Sequence, residues 1–107
     1  MKAQLITDAE FDSKVLSGNV PAVVDFFADW CGPCKRMSPI VEELAAEFEG
    51  KANIFKMNVD DNPDTPAKFA ISSIPAILFF KDGKEAGRFI GVNKKETFKQ
   101  LLEKLIS

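Results

Sequence analysis

The chain contains no histidine and no tyrosine, and only two of its 107 residues are cysteine. Without imidazole, the usual general base and the commonest metal ligand are missing, so Ser/His/Asp and Cys/His nucleophilic systems are excluded. No apolar run approaches the ~18 residues needed to span a bilayer. The start Met1-Lys2-Ala3-Gln4 lacks the charged stretch, apolar run and small-residue cleavage site of a secretory leader. These absences point to a cytoplasmic or matrix location and away from a membrane. Charge of one sign is also scarce: 14 Lys plus Arg against 16 Asp plus Glu leaves −2, too little and of the wrong sign to favour nucleic acid. No repeat, low-complexity tract or linker divides the chain, so residues 1–107 are expected to form one domain. With 46% hydrophobic residues, including ten Phe and one Trp, it has the material for a packed core.

Strand-like and helix-like patterns alternate along the chain, which points to an α/β sandwich. Thr7-Asp8-Ala9-Glu10 has the form of a capping box and predicts a helix reaching Leu16, ended by Gly18 and Asn19. Ala22 to Ala28 reads as a central strand, apolar on both faces except at Asp25. After Cys31, the spacing of Met37, Ile40, Val41, Leu44, Ala45 and Phe48 predicts a long helix, kinked at Pro39 and stopped at Gly50. Ile54 to Val59 reads as a second inner strand, and Asp61-Asn62-Pro63 as the capped start of a short helix. Ala76–Phe80 and Glu85–Ile90 flank an Asp82-Gly83 turn and predict an antiparallel hairpin, making the sheet mixed. Asn93, with Glu96 three residues on, is the expected cap of a last helix whose stripe is Phe98, Leu101, Leu102 and Leu105.

The chemistry concentrates in Trp30-Cys31-Gly32-Pro33-Cys34-Lys35, where a central strand gives way to a helix. Unpaired N–H groups and the positive end of the helix dipole favour thiolate over thiol at such a junction, and the thiolate is the nucleophile. Cys31 is therefore the expected attacker, exposed at the helix tip. Cys34, one turn further on and covered by the chain, is the expected resolving thiol. Pro33 suits the first helical turn, and Gly32 lets a substrate backbone approach. Three blander readings compete: half of a metal or cluster site, which would need ligands from a second chain; a structural disulfide closing a very short loop; and two inert packed cysteines.

Asp25, on a buried strand, has two readings: a carboxylate paired with Lys56 on the neighbouring strand, or, preferred here, a proton acceptor for Cys34 with Lys56 modulating it. Ile74-Pro75 is either an ordinary strand start or a cis bond that sets Pro75 against the thiols and frees the Ile74 backbone to pair with an extended substrate. Trp30 is either core or, beside an exposed nucleophile, a partly buried ring shaping a docking surface.

The run Val24-Asp25-Phe26-Phe27-Ala28-Asp29-Trp30-Cys31-Gly32-Pro33-Cys34-Lys35, together with Pro39, Lys56, Asn58-Val59-Asp60, Ile74-Pro75, Asp82-Gly83 and Gly91, resembles the thioredoxin family over nearly the whole chain. The resemblance implies the thioredoxin fold, α/β, with a central mixed sheet of about five strands sandwiched by about four helices, and a cis Pro75. It implies a protein disulfide reductase cycling Cys31 and Cys34 between dithiol and disulfide. Asp25 and Lys56 would tune proton transfer, Gly32 and Pro33 the redox pair, and Trp30, Ile74, Pro75, Gly91 and Val92 would form a flat contact surface. No bound cofactor or metal is implied; electrons would come from NADPH through thioredoxin reductase. Clients of the kinds the family serves are ribonucleotide reductase, methionine sulfoxide reductases and peroxiredoxins, met by a monomer in the cytoplasm. Phe27 stands where many members have a second Trp, Ala76 where Thr usually follows the proline, and Ser72-Ser73 where Arg-Gly or Arg-Ser is frequent. These departures bear on partner preference more than on chemistry.

Overall fold

Strand β2 (Ala22–Phe27) is buried along almost its whole length, because it sits in the middle of a sheet covered on both faces. The computed structural model describes residues 2–107. The other strands are β1 (Gln4–Leu5), β3 (Asn53–Asn58), β4 (Ala76–Lys81) and β5 (Lys84–Ile90). The helices are α1 (Gly32–Glu47), α2 (Asp64–Lys68) and α3 (Lys95–Ile106). The sheet runs β1-β3-β2-β4-β5; β1, β3 and β2 are parallel, and β4 and β5 are antiparallel to their neighbours. The mixed sheet expected from the hairpin signal is thus present, with α1 as the crossover between β2 and β3.

Period-two alternation divides the core in two. Val23, Ile54, Ile77 and Phe79 face α1 and α3, where Met37, Val41, Leu44, Phe98 and Leu102 complete one cluster. Val24, Phe26, Phe55, Met57, Leu78 and Phe80 face the other way, onto Ile6, Phe11 and Val15 from the N-terminal segment. Each face carries a trio of phenylalanine rings. Phe11, Phe69 and Phe80 lie with centroids 5.3 to 5.5 Å apart; Phe79, Phe89 and Phe98 lie opposite, with two edge-on contacts. Such pairs add about 0.5–1.5 kcal/mol each beyond burial. Asp25 and Lys56 are in register across β2 and β3, and both fall on the α1 face.

Three element boundaries differ from the expected ones. The helix predicted from Thr7 to Leu16 is a 3-10 turn, Asp8–Glu10, followed by a π-helical turn, Asp12–Leu16. The Glu10 carboxylate does accept the Thr7 N–H, 3.0 Å. Two tertiary anchors override the regular helix: Asp8 is tied to the region of α2, and Phe11 and Val15 are both buried against the sheet. The cap of α2 is likewise not local. Pro63 occupies the N-cap position, and the Asp8 carboxylate accepts the N–H groups of Asp64 (3.1 Å) and Thr65 (2.9 Å) and the Thr65 hydroxyl (2.6 Å). At α3 the N-cap is Lys94, because Asn93 turns its amide back to donate to the Gly91 carbonyl. The β4–β5 turn is as predicted: Asp82 (φ +53°) and Gly83 (φ +78°) are both left-handed, as a tight two-residue hairpin demands.

Partial burial raises the affinity of Asp8 for its proton, but the bonds from Thr65 and Asp64 outweigh it and hold the carboxyl below the usual range. Asp8→Ala should therefore destabilise the fold by about 1 kcal/mol near neutral pH. A depressed carboxyl stabilises above its unfolded pKa and loses that stabilisation as pH falls through the folded one, so the difference should narrow in acid. Denaturant titrations of both proteins at pH 7 and pH 3 read this out; an equal gap at the two values would show that the carboxylate charge contributes nothing.

Candidate active site

Helix α1 begins where β2 has ended, and its N-cap is Cys31, with extended backbone (φ −86°, ψ 109°). The Cys31 Sγ accepts the Cys34 N–H at 3.2 Å, so a sulfur occupies the place where a capping oxygen usually stands. Pro33 lies in the first turn, where a missing N–H costs no bond. A Cβ on Gly32 would meet nothing within 4 Å, so the space in front of it is open to another chain. The two sulfurs are joined in a disulfide, with Cα atoms 5.3 Å apart.

The exposed nucleophile expected from the sequence is not what this oxidised form presents. Cys31 is 3% exposed and Cys34 4%, packed with Ala28 under Phe27, Val59 and Ile74. The cause is the Ile74-Pro75 segment, which covers the helix tip: the Cys31 Sγ lies 3.9 Å from the Ile74 carbonyl oxygen. Burial therefore does not distinguish the two sulfurs. Their surroundings do: Cys31 receives a helix-terminal N–H, whereas Cys34 borders the cavity that holds Asp25.

That cavity, about 150 Å³, is lined by Asp25, Phe27, Ala28, Asp29, Cys34, Lys35, Ser38 and Lys56. It is polar and roomy enough to admit water. Asp25 is 1% exposed, and among the described residues neither carboxyl oxygen has a hydrogen-bond partner. Burial pushes this carboxyl up to about 7; Lys56 acts against the rise and Glu42 adds to it. The simple Asp25–Lys56 ion pair does not form. The Lys56 ammonium instead bonds the Ser38 hydroxyl at 3.1 Å, lies 3.9 Å from Glu42 Oε2, and sits 5.0 Å from the centre of the Phe27 ring.

On the outer side, the Ile74-Pro75 bond is cis, and the Pro75 carbonyl accepts the Gly91 N–H at 2.8 Å. Gly91 has φ +89°, a conformation that favours glycine. Trp30 is neither core nor partly buried: it is 71% exposed, tethered by its indole N–H to Asp60 Oδ2 at 2.8 Å. A groove of about 180 Å³ runs between Trp30, Val59, Pro66, Ile71, Ser72-Ser73 and Ile74. Val92 follows Gly91, half exposed. Trp30, Cys31, Ile74, Pro75 and Gly91 are thus linked by contacts at one end of the sheet, while Asp25 and Lys56 lie beneath. The sequence pattern assigns no role to Ser38, Glu42, Val59 or Asp60. Ser38 and Glu42 follow Cys34 at i+4 and i+8, so polar residues on the core-facing stripe of α1 were the available signal. Among the described residues no group of three or more His, Cys, Asp or Glu is placed to hold a metal, and no helix is long and apolar enough to cross a membrane.

A dithiol–disulfide pair at a helix N-terminus, backed by a buried carboxyl and faced by a cis-proline loop, defines a thiol–disulfide oxidoreductase. Comparison with known proteins gives the family. The thioredoxin family model matches residues 2–104. Thioredoxins of Staphylococcus aureus strains Mu50 / ATCC 700699, MW2 and N315 are each 52% identical over 99 residues, covering 92% of this chain and 93% of the relative. The chain belongs to the thioredoxin family, and Cys31 and Cys34 form its redox-active disulfide.

The raised carboxyl has a consequence for stability. As pH rises from the ordinary 3.8 to about 7, folded Asp25 keeps a proton that the unfolded chain has lost, so this group lowers stability across that window. Asp25→Asn should be more stable than the parent at pH 8 by about 1–3 kcal/mol, the unpaired amide offsetting part of the gain, and should differ little at pH 4. Urea unfolding of the oxidised proteins at the two pH values measures it; an Asn variant less stable at pH 8 would mean the carboxylate is satisfied in the fold.

Proposed function

We infer that the chain, acting as one domain over residues 1–107, reduces disulfides of client proteins by a two-step exchange. The Cys31 thiolate attacks one sulfur of a client disulfide, forming a mixed disulfide and releasing the other client sulfur as thiolate. Asp25 then takes the proton of Cys34, directly or through water in the shared cavity. The Cys34 thiolate attacks Cys31 Sγ, so the intramolecular disulfide forms as the mixed disulfide breaks and the second client thiolate leaves. Two electrons pass to the client, and the disulfide described above is the oxidised product. The observation that carries this reading is the Cys34 N–H bonded to Cys31 Sγ at the tip of α1, which favours negative charge on Cys31 and not on its partner.

Trp30, Ile74, Pro75, Gly91 and Val92 form the surface that receives an extended client segment, supported by the exposure of Trp30 and by the groove beside it. Gly32 and Pro33 tune the pair, Gly32 by admitting the client backbone and Pro33 by shaping the first turn. Lys56 tunes Asp25. The disulfide is re-reduced by thioredoxin reductase at the expense of NADPH, with no cofactor or metal held by the chain itself. A reducing compartment, the cytoplasm, suits a carrier that must return to the dithiol after each turnover. Ribonucleotide reductase, methionine sulfoxide reductases and peroxiredoxins are the client kinds proposed, each met by a monomer.

Cys31→Ser should abolish turnover of a model protein disulfide, whereas Cys34→Ser should accumulate a covalent complex visible on non-reducing gels; full activity of the first variant would sink the assignment. Asp25→Asn should slow decay of the mixed disulfide at least tenfold at pH 7, with the deficit closing at high pH, where Cys34 ionises unaided. Stopped-flow rates that are the same for both proteins at every pH would return Asp25 to a structural role.

A further inference from the structure

Lys56 stands directly opposite Asp25 in the β2–β3 register, with its side chain on the same face of the sheet. Neighbouring side chains at such a position are close enough to interact, and an ammonium beside a buried carboxyl would ordinarily pair with it. Here it does not. Its Nζ is drawn to Ser38 Oγ, Glu42 Oε2 and the Phe27 ring, and Asp25 keeps two oxygens without partners among the described residues.

Glu42 is able to compete because it is itself immobilised. Its Oε1 accepts the Lys2 N–H at 2.6 Å and the Ala3 N–H at 2.9 Å, from the segment leading into β1. Its Oε2 is buried and, among the described residues, has no hydrogen-bond partner; the Lys56 ammonium lies 3.9 Å from it. Cys34, Ser38 and Glu42 repeat every four residues along α1, so one helical stripe carries the resolving thiol and both groups that hold the lysine.

We propose that Glu42, assisted by Ser38, is a positioning residue for the resolving step, holding the Lys56 ammonium off Asp25 so that this carboxyl stays unpaired beside Cys34. The proposal rests on the reading of Asp25 as the proton acceptor. The polar groups that share the cavity with Asp25 are Lys56 from β3, Cys34, Lys35 and Ser38 from α1, and Asp29 from the loop after β2, while Glu42 of α1, outside the cavity lining, acts on it through its charge; the residue across from it on β4, Ile77, is apolar. Removing the Glu42 charge acts on Asp25 twice in the same direction: a like charge is lost, and the ammonium is released toward the carboxyl.

Glu42→Gln keeps an oxygen for the Lys2 and Ala3 N–H groups and removes only the charge. Carboxyl-carbon NMR titration of Asp25, in oxidised and reduced protein, should show its midpoint lowered by about one pH unit, a tenfold loss of proton affinity. The pH profile of mixed-disulfide decay should move to acid by the same amount, and Glu42→Asp should recover most of the shift. In a Lys56→Met background, Glu42→Gln should move the midpoint by less than half as much. An unmoved midpoint in Glu42→Gln, or an equal shift with and without Lys56, would overturn the proposal. Ser38→Ala leaves the N-terminal contacts intact and should also lower the midpoint; if Glu42→Gln does not fold, an unmoved midpoint in Ser38→Ala decides against it. The titration is read on the carboxyl itself, so failure of Asp25→Asn to slow resolution would remove the acceptor role while leaving the Glu42 effect measurable.

Discussion

Asp25 lies beneath α1 because β2 is covered on both faces and strand geometry alternates side chains strictly between them. Val24 and Phe26 must face the N-terminal segment to complete one cluster, which turns Val23 and Asp25 toward α1. A one-residue slip would expose the thiol pair's carboxyl to the phenylalanine cluster and place Val24 and Phe26 under the helix, so packing enforces the register. The reactive end of the molecule is a consequence of this constraint. The helix that closes the crossover starts a short loop after β2 stops, and its first turn brings Cys31 and Cys34 to the end of the central strand, above Asp25.

The two sulfurs share nearly the same burial, yet their electrostatic settings differ. Cys31 caps a helix and accepts an N–H, a setting that supports negative charge. Cys34 abuts a cavity whose carboxyl is short of partners and holds a proton up to about pH 7. In the exchange proposed above, a pair so divided would have one member ready to attack and a second that needs deprotonation first. The lysine that could abolish this difference by pairing with the carboxyl is engaged by Ser38 and Glu42 instead. The buried charges are therefore arranged for a proton affinity near neutrality, at a cost in stability that the surrounding aromatic clusters offset.

Much of the architecture was legible in residue patterns because it depends on local chemistry. The Asp82-Gly83 hairpin, the apolar stripe of α1 and the sulfur pair at a strand-to-helix junction each involve residues close in sequence. Where expectation and structure part, a distant residue intervenes. Asp8 caps a helix more than fifty residues away and breaks its own segment into 3-10 and π turns. Ile74, remote from the cysteines along the chain, covers the sulfur that was expected to be open. Trp30 stands further out than expected, since Asp60 offers its indole N–H a partner at the surface.

The order of residues alone determined the four longer strands, the three α-helices, the mixed sheet and the identity of the chemical groups, since periodicity, turn residues and a helix-start dithiol are short-range features; the two-residue β1 and the irregular turns before β2 were not legible in it. Tertiary structure decided how those groups are charged and covered. Whether Asp25 meets Lys56 or an unpaired cavity, and whether Cys31 is open or roofed, depends on which side chains from other elements reach the same space. Desolvation and competing partners are properties of that three-dimensional neighbourhood, and no reading along the chain contains them.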